Sequence, residues 1–357
     1  MSIMTADHAT ITPDIRVRFA PGLRHETGDE IRRLGCRRTL VLSTPQQADV
    51  AHGLAETLGA LSAGVFARAT MHTPVDISAD AVDALRASGA DCVVAIGGGS
   101  TTGLGKAIAL VTDVPQIVIP TTYAGSEATP ILGQTRDGVK TTLTDPRVQP
   151  EVILYDPELV TSLPVAMTVT SGLNAIAHAA EALYATNRNA ASDALAREGL
   201  DAFARSLPAV LRAPDDIVAR EHSLRGAYAC GAVLGMVGMA LHHKLCHTLG
   251  GSFDLPHADT HAIILPHAIG YNATAVPELL APVVDIFGGV TPGRALFDFA
   301  RRMHAPLALR DLGLAEADLD RAAELATRKP YPNPADITRD GIRTLLQAAW
   351  EGAPPQR

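Results

Sequence analysis

With 357 residues, 47% of them hydrophobic, the chain can bury a large core, which excludes a disordered polypeptide and suggests two domains or one large one. A formal net charge of −8 without any long basic run argues against nucleic acid or an anionic membrane as partner, and for small molecules. The four cysteines, Cys36, Cys92, Cys230 and Cys246, are widely spaced and form no CxxC pair, so neither a disulfide framework nor a zinc ribbon is expected.

The N-terminal MSIMTADHATITPDIRV carries an early acidic residue and no apolar core of signal-peptide length, which predicts a soluble, cytoplasmic protein. Residues 15–20, IRVRFA, alternate as an edge strand does, and PGL leads into the helical HETGDEIRRLG. RRTLVLST reads as a buried strand, QQADVAHGLAETLGAL as a helix, AGVFARAT as a strand and ISADAVDALRASG as a helix. DCVVAIGGGS is an apolar strand running straight into glycines, and VPQIVIPTT is another such strand. Strands without polar alternation, separated by helices, imply a parallel sheet covered on both faces.

From ILGQTRDGVKTTLTDPRVQPEVILYDPELVTSLP onward the composition changes, and this segment carries the last strands. Helical periodicity follows in TVTSGLNAIAHAAEALYA, ASDALAREGLDAFARSLPAVL, LRGAYACGAVLGMVGMALHHKLCHTL and ALFDFARRMHA. The expected architecture is an α/β N-terminal dinucleotide-binding domain with a parallel sheet over residues 1–159, and an all-α C-terminal domain over 160–357 that carries the histidines.

Three stretches carry chemistry. In VVAIGGGSTTGLGKAIAL, Gly97, Gly98, Gly99 and Ser100 lie between a strand and a helix whose free N–H groups favour the negative charge of a pyrophosphate. An unliganded tight turn is the alternative. In PTTYAGSEATP, Thr121, Thr122 and Ser126 offer hydroxyls and N–H groups to the same nucleotide, against the alternative of an ordinary polar turn. The third stretch, HHKLCHTLGGSFDLPHADTHAIILPH, holds six of the thirteen histidines. His243 and His247 are four apart and share one helix face, Gly250 and Gly251 then end that helix, and His257 can fold back toward the same pocket. Asn174 and His178, also four apart, add to the group. Imidazoles grouped in this way bind a metal, move protons or hold an anion.

In order along the chain, the GGGS loop, the PTT…GSE loop, the DPELV…LP segment and the two histidine-bearing helices resemble the iron-containing alcohol dehydrogenase superfamily, whose fold is dehydroquinate synthase-like. The resemblance implies a divalent metal held by an Asp and a His four apart and by two later histidines. His178, His243 and His257 match, while Asn174 stands where the Asp is expected. An amide in place of a carboxylate removes a hard anionic ligand, so affinity for iron or zinc is expected to fall and no metal is expected.

HHKLCHTLGG and PTTYAGSE, together with Asn174, are similar to the maleylacetate reductases of that superfamily. This implies NAD(P)H-dependent reduction of maleylacetate to 3-oxoadipate in the breakdown of aromatic compounds, by a homodimer. A metal-dependent alcohol dehydrogenase and a dehydroquinate synthase-like lyase are the alternatives. Ser43 and Thr44 stand where the resemblance expects an acidic residue at the ribose, and they neither repel nor clamp a 2′-phosphate; NADH is expected and NADPH is admitted. A small dicarboxylate calls for cationic or hydrogen-donating partners, which His243, His247 and Lys244 offer, with Arg136, Lys140, Arg328 and Lys329 as further candidates. Tyr123, His243 or His247 can supply the proton that accompanies hydride addition, while a merely packed Tyr123 is the alternative.

Overall fold

The computed structural model describes residues 15–136 and 139–355, and the chain divides into two compact units. The first takes in the described residues up to Pro120, with Pro130–Arg136 and Thr141–Asp156. The second takes in Thr121–Thr129, residues 139–140 at the start of a strand, and everything described from Pro157 onward.

In the first unit the order is β1 (Arg16–Phe19), α1 (Thr27–Arg33), β2 (Thr39–Leu42), α2 (Ala48–Leu58), β3 (Ser62–Phe66), α3 (Val75–Ser88), β4 (Cys92–Gly97), α4 (Gly99–Thr112) and β5 (Gln116–Pro120). β6 (Ile131–Arg136), β7 (Val139–Thr144) and β8 (Val152–Tyr155) follow. The main sheet has the order β1-β8-β5-β4-β2-β3, and its strand pairs are parallel. IRVRFA lies at one margin, as its alternation predicts, while β2, β4, β5 and β8 are buried throughout, which is why Val, Ile and Leu run through their centres without polar alternation. Leu40, Leu42, Val93, Ala95 and Val118 from the sheet pack with Leu104 and Ile108 of α4 and with Val82 and Leu85 of α3. β6 and β7 pair separately as a two-stranded sheet.

The second unit is helical: α5 (Val165–Ala182), α6 (Ala190–Arg212), α7 (Ile217–Met236), α8 (Leu241–Phe253), α9 (His257–Ala273), α10 (Pro277–Phe287), α11 (Pro292–Arg302), α12 (Leu319–Thr327) and α13 (Arg339–Glu351). One core joins Leu241, Leu245 and Leu249 of α8 with Ile263 and Ile264 of α9, Ala322 and Ala326 of α12, and Leu346 of α13. The fold is therefore an α/β domain with a parallel sheet followed by an all-α domain.

Two local expectations change. LRGAYACGAVLGMVGMALHHKLCHTL reads as one continuous helix, yet it breaks after Met236 and resumes at Leu241, the two helices meeting at 97°. The break has its own hydrogen-bond partners, which no periodicity reveals. The Gly238 N–H donates to Asn187 Oδ1 at 2.9 Å, and the N–H groups of Ala240 and His242 donate to the Glu181 carboxylate at 3.0 and 2.7 Å. Nor do Gly250 and Gly251 end α8. The helix runs through them to Phe253 and stops at Asp254, which takes the left-handed conformation at φ 53° that helix C-caps use.

Candidate functional site

On the sheet side, β4 leads into α4 through a tight turn. Gly97 has φ 157°, and a Cβ there would lie 2.3 Å from Thr101 Oγ1, so only glycine fits. Gly98 is the N-cap of α4 with no side-chain cap, Gly99 is exposed and Ser100 is half-buried, which leaves first-turn N–H groups reachable by an anion. Beneath them Thr101 Oγ1 is buried without a partner. β2 pairs with β4 in register, Leu42 opposite Ala95, so Ser43 and Thr44 leave the sheet at the same edge as the glycines. Thr44 is half-buried there, whereas Ser43 is fully buried and its hydroxyl donates to the Thr44 carbonyl at 3.1 Å. β5 ends opposite Gly97, at Pro120, and the chain continues directly into Thr121 and Thr122.

Thr121, Thr122 and Ser126 belong to a loop held by the second unit. The Tyr123 N–H donates to Ser171 Oγ at 3.0 Å. Gly125 packs so tightly on α7 that a Cβ at Gly231 would stand 2.0 Å from the Gly125 carbonyl oxygen. The Tyr123 ring is sealed against Phe203, and its hydroxyl accepts from Arg220 Nη1 at 3.2 Å. Burial raises the phenol pKa against the opposing effect of Arg220. Of the two roles open to Tyr123 in the sequence, the packed tyrosine matches this environment.

Arg220 itself is fully buried, and its guanidinium donates to Pro214 O, Tyr123 Oη, Thr168 Oγ1, Thr161 O and Leu163 O, which ties the loop to α5 and α7.

The histidines gather within the second unit. α5 brings in Asn174 and His178 one turn apart, both buried, and α8 brings in His243, whose ring centroid lies 5.1 Å from that of His178. His247, one turn further along α8, is exposed with its ring 6.1 Å from His243. His257, the exposed first residue of α9, has its ring 4.3 Å from that of His261 at a tilt of 54°, and the His261 ring in turn lies 5.3 Å from that of His243. Lys244 does not join them: its ammonium lies 6.0 Å from the Tyr331 ring. Arg328 is engaged by Glu324 at 3.2 Å, and the Lys140 side chain lies outside the described residues.

Three residues of the cluster escape the sequence reading: His242, His261 and Glu181. His242 Nε2 and His261 Nδ1 are 3.0 Å apart, and both rings are buried. Glu181 is completely buried, lies 2.6 Å from His243 Nδ1, and accepts from Tyr184 Oη at 3.1 Å and from the α8 backbone. Its signal is faint but present: it follows His178 by three positions and so shares that helix face.

Burial, and then the proximity of His243, holds His178 well below the usual histidine range and His242 at about 3; burial and His257 act likewise on His261. These rings are therefore neutral near pH 7, with lone pairs available. Burial alone would raise Glu181, but the hydrogen bond with His243, with the Ala240 N–H donating to the same carboxylate, outweighs it and holds the carboxyl at about 2.

The donor set fits a divalent ion on structural grounds. Asn174 Oδ1, His178 Nδ1 and His243 Nε2 are all buried, and none has a hydrogen-bond partner. Such orphaned acceptors cost free energy unless something binds them, and neutral imidazole is the ligating form.

The chain matches the model of the family described as iron-containing alcohol dehydrogenase over residues 14–157, and the model described as Fe-containing alcohol dehydrogenase family, C-terminal, over residues 168–350. It is 59% identical over 345 residues to a maleylacetate reductase of Rhizobium sp. (strain MTP-10005), covering 97% of this chain and 98% of that one. The crystal structure of maleylacetate reductase from Agrobacterium tumefaciens superposes with a TM-score of 0.94 at 60% identity, over 97% of this chain and 99% of that one. That of an iron-containing alcohol dehydrogenase from Corynebacterium glutamicum does so with 0.90 at 37% identity, over 94% of each.

These iron-containing matches overturn the expectation that no metal is needed. The physical flaw in that expectation is visible in the site. Asn174 offers an amide where a carboxylate was expected, but Glu181, in contact with His243 Nδ1, keeps a negative charge buried beside these candidate donors. The chain belongs to the iron-containing alcohol dehydrogenase family.

Proposed function

We propose that the chain catalyses the NAD(P)H-dependent reduction of maleylacetate to 3-oxoadipate. The observation that carries this reading is the 59% identity to a maleylacetate reductase along essentially the whole of both chains. Residues of the candidate site support it. The α4 N-terminus behind Gly97, Gly98, Gly99 and Ser100 suits the pyrophosphate of a nucleotide that supplies a hydride when bound. Asn174, His178, His243 and His257 are the residues that would hold the family's divalent metal, whose chemistry is to polarise a substrate oxygen.

Around them the chain's own groups meet two further needs. A dianionic substrate requires donors that compensate its carboxylates, and His247, exposed beside His243, is suited to that. The reaction also consumes one proton for each hydride, and His247 is open to solvent from which to replenish it. We further read the protein as a cytoplasmic homodimer that prefers NADH and serves aromatic catabolism.

The test is NADH oxidation by the purified protein with maleylacetate, compared with simple aldehydes and with 3-dehydroquinate precursors. Stoichiometric cofactor loss only with maleylacetate is expected; turnover of aldehydes alone would defeat the reading. His243→Ala should lower kcat/KM for maleylacetate by roughly tenfold to a thousandfold, on the order of a lost positioned polar group, and leave NADH affinity near its original value. Steady-state kinetics with a separate NADH titration checks both.

A further inference from the structure

We infer that Glu181 is a positioning residue that fixes His243 in the tautomer protonated on Nδ1, so that the Nε2 lone pair is the one offered to the site. The contacts of this carboxylate come from donors or from a ring nitrogen able to donate: the N–H groups of Ala240, His242 and His243, the Tyr184 hydroxyl and His243 Nδ1. With both carboxylate oxygens already accepting from the other four donors, the 2.6 Å contact is also one that the carboxylate accepts, and its proton sits on Nδ1. On the far side of the ring Nε2 is buried without a partner, where an N–H would have no acceptor and a lone pair suits a ligand. The same carboxylate holds the backbone on which the ring is mounted, through the first-turn amides of α8. Ring orientation and helix start are thus set by one group. The consequence for metal affinity rests on the proposed ligand role of His243; the tautomer assignment does not.

The test uses the full-length chain, 15N-labelled at histidine and stripped of metal by chelation. Long-range proton–nitrogen spectra should report His243 protonated on Nδ1. Glu181→Gln keeps the volume but replaces one acceptor oxygen with an NH2 group, which cannot serve both the α8 amides and an Nδ1 proton. It is expected to shift His243 toward the Nε2-protonated form and to weaken zinc binding, measured by calorimetry, by about 10–100-fold, with NADH affinity unchanged. A wild-type His243 protonated only on Nε2, or a Glu181→Gln variant that binds zinc as tightly as wild type, would overturn the inference. The wild-type spectrum decides the tautomer even if the variant does not fold. Should maleylacetate fail as a substrate while these results hold, the substrate reading falls and the role of Glu181 stands.

Discussion

His267 isolates what burial does to a histidine outside the gathered cluster. It packs against Phe297 at 6.4 Å, is 3% exposed, and burial lowers its pKa to about 4. The unfolded chain binds a proton at this residue below about 6.5, while the folded chain does not until about 4, so stability falls as the pH drops through that window. The gap corresponds to roughly 3 kcal/mol. His267→Gln should flatten the pH dependence of the urea midpoint between pH 4 and 6.5, which equilibrium unfolding at several pH values measures; an unchanged slope would assign the dependence elsewhere.

Asn174 is the complementary case. Its amide oxygen is buried and unpartnered beside neutral imidazoles, so Asn174→Asp adds a charge where a dication would sit, and zinc should bind more tightly by calorimetry. At this scale His178, His243 and His257 were legible because spacings of four, and the density of histidines, are properties of the string. Glu181 was not. A glutamate in an Ala-rich helix reads as surface, and most of its donors come from the distant α7–α8 break, with Tyr184 adding one from nearby.

At the scale of elements, the turn from β4 into α4 and the face of α7 are both defined by missing side chains. Gly97→Ala would drive a Cβ into Thr101, and relief of that overlap should cost about 1–3 kcal/mol and move the turn that we propose carries the pyrophosphate. Weaker NADH binding in a folded variant is the expected result; unchanged affinity would make it only a turn. Gly231→Ala is harsher, because its Cβ would meet backbone at Gly125 and not a movable side-chain tip. It should lower the melting temperature and perturb the loop of Thr121, Thr122 and Ser126. The strands and the glycine turn were readable from apolar runs ending in punctuation. The right-angle break was not, since Val237 to Ala240 carry no proline and their hydrogen-bond partners, Asn187 and Glu181, lie far upstream.

For the molecule as a whole, cysteine spacing anticipated free thiols, and all four are free and buried. Burial pushes each of them up from the usual thiol pKa, which suppresses the reactive thiolate. A colorimetric disulfide reagent should therefore react slowly with the native protein and rapidly with four thiols in denaturant. Fast native reaction would mean that the burial is breached in solution. The two-part architecture was also legible, from the change of periodicity after the last strand. Hidden from the string was the excursion at Thr121–Thr129, a short stretch flanked by sheet-forming sequence yet held by Ser171, Arg220 and Gly231. Anyone who cuts this gene where the composition changes would keep every α-helix of the second unit and lose one of its packing pieces. Arg220 would retain its carbonyl acceptors and Thr168 but forfeit the tyrosine, and the bare backbone of α7 at Gly231 would face water. The helical half is thus not a portable module: part of its interior is written upstream of β8, and a fragment beginning at residue 160 needs residues 121–129 grafted back before it can close.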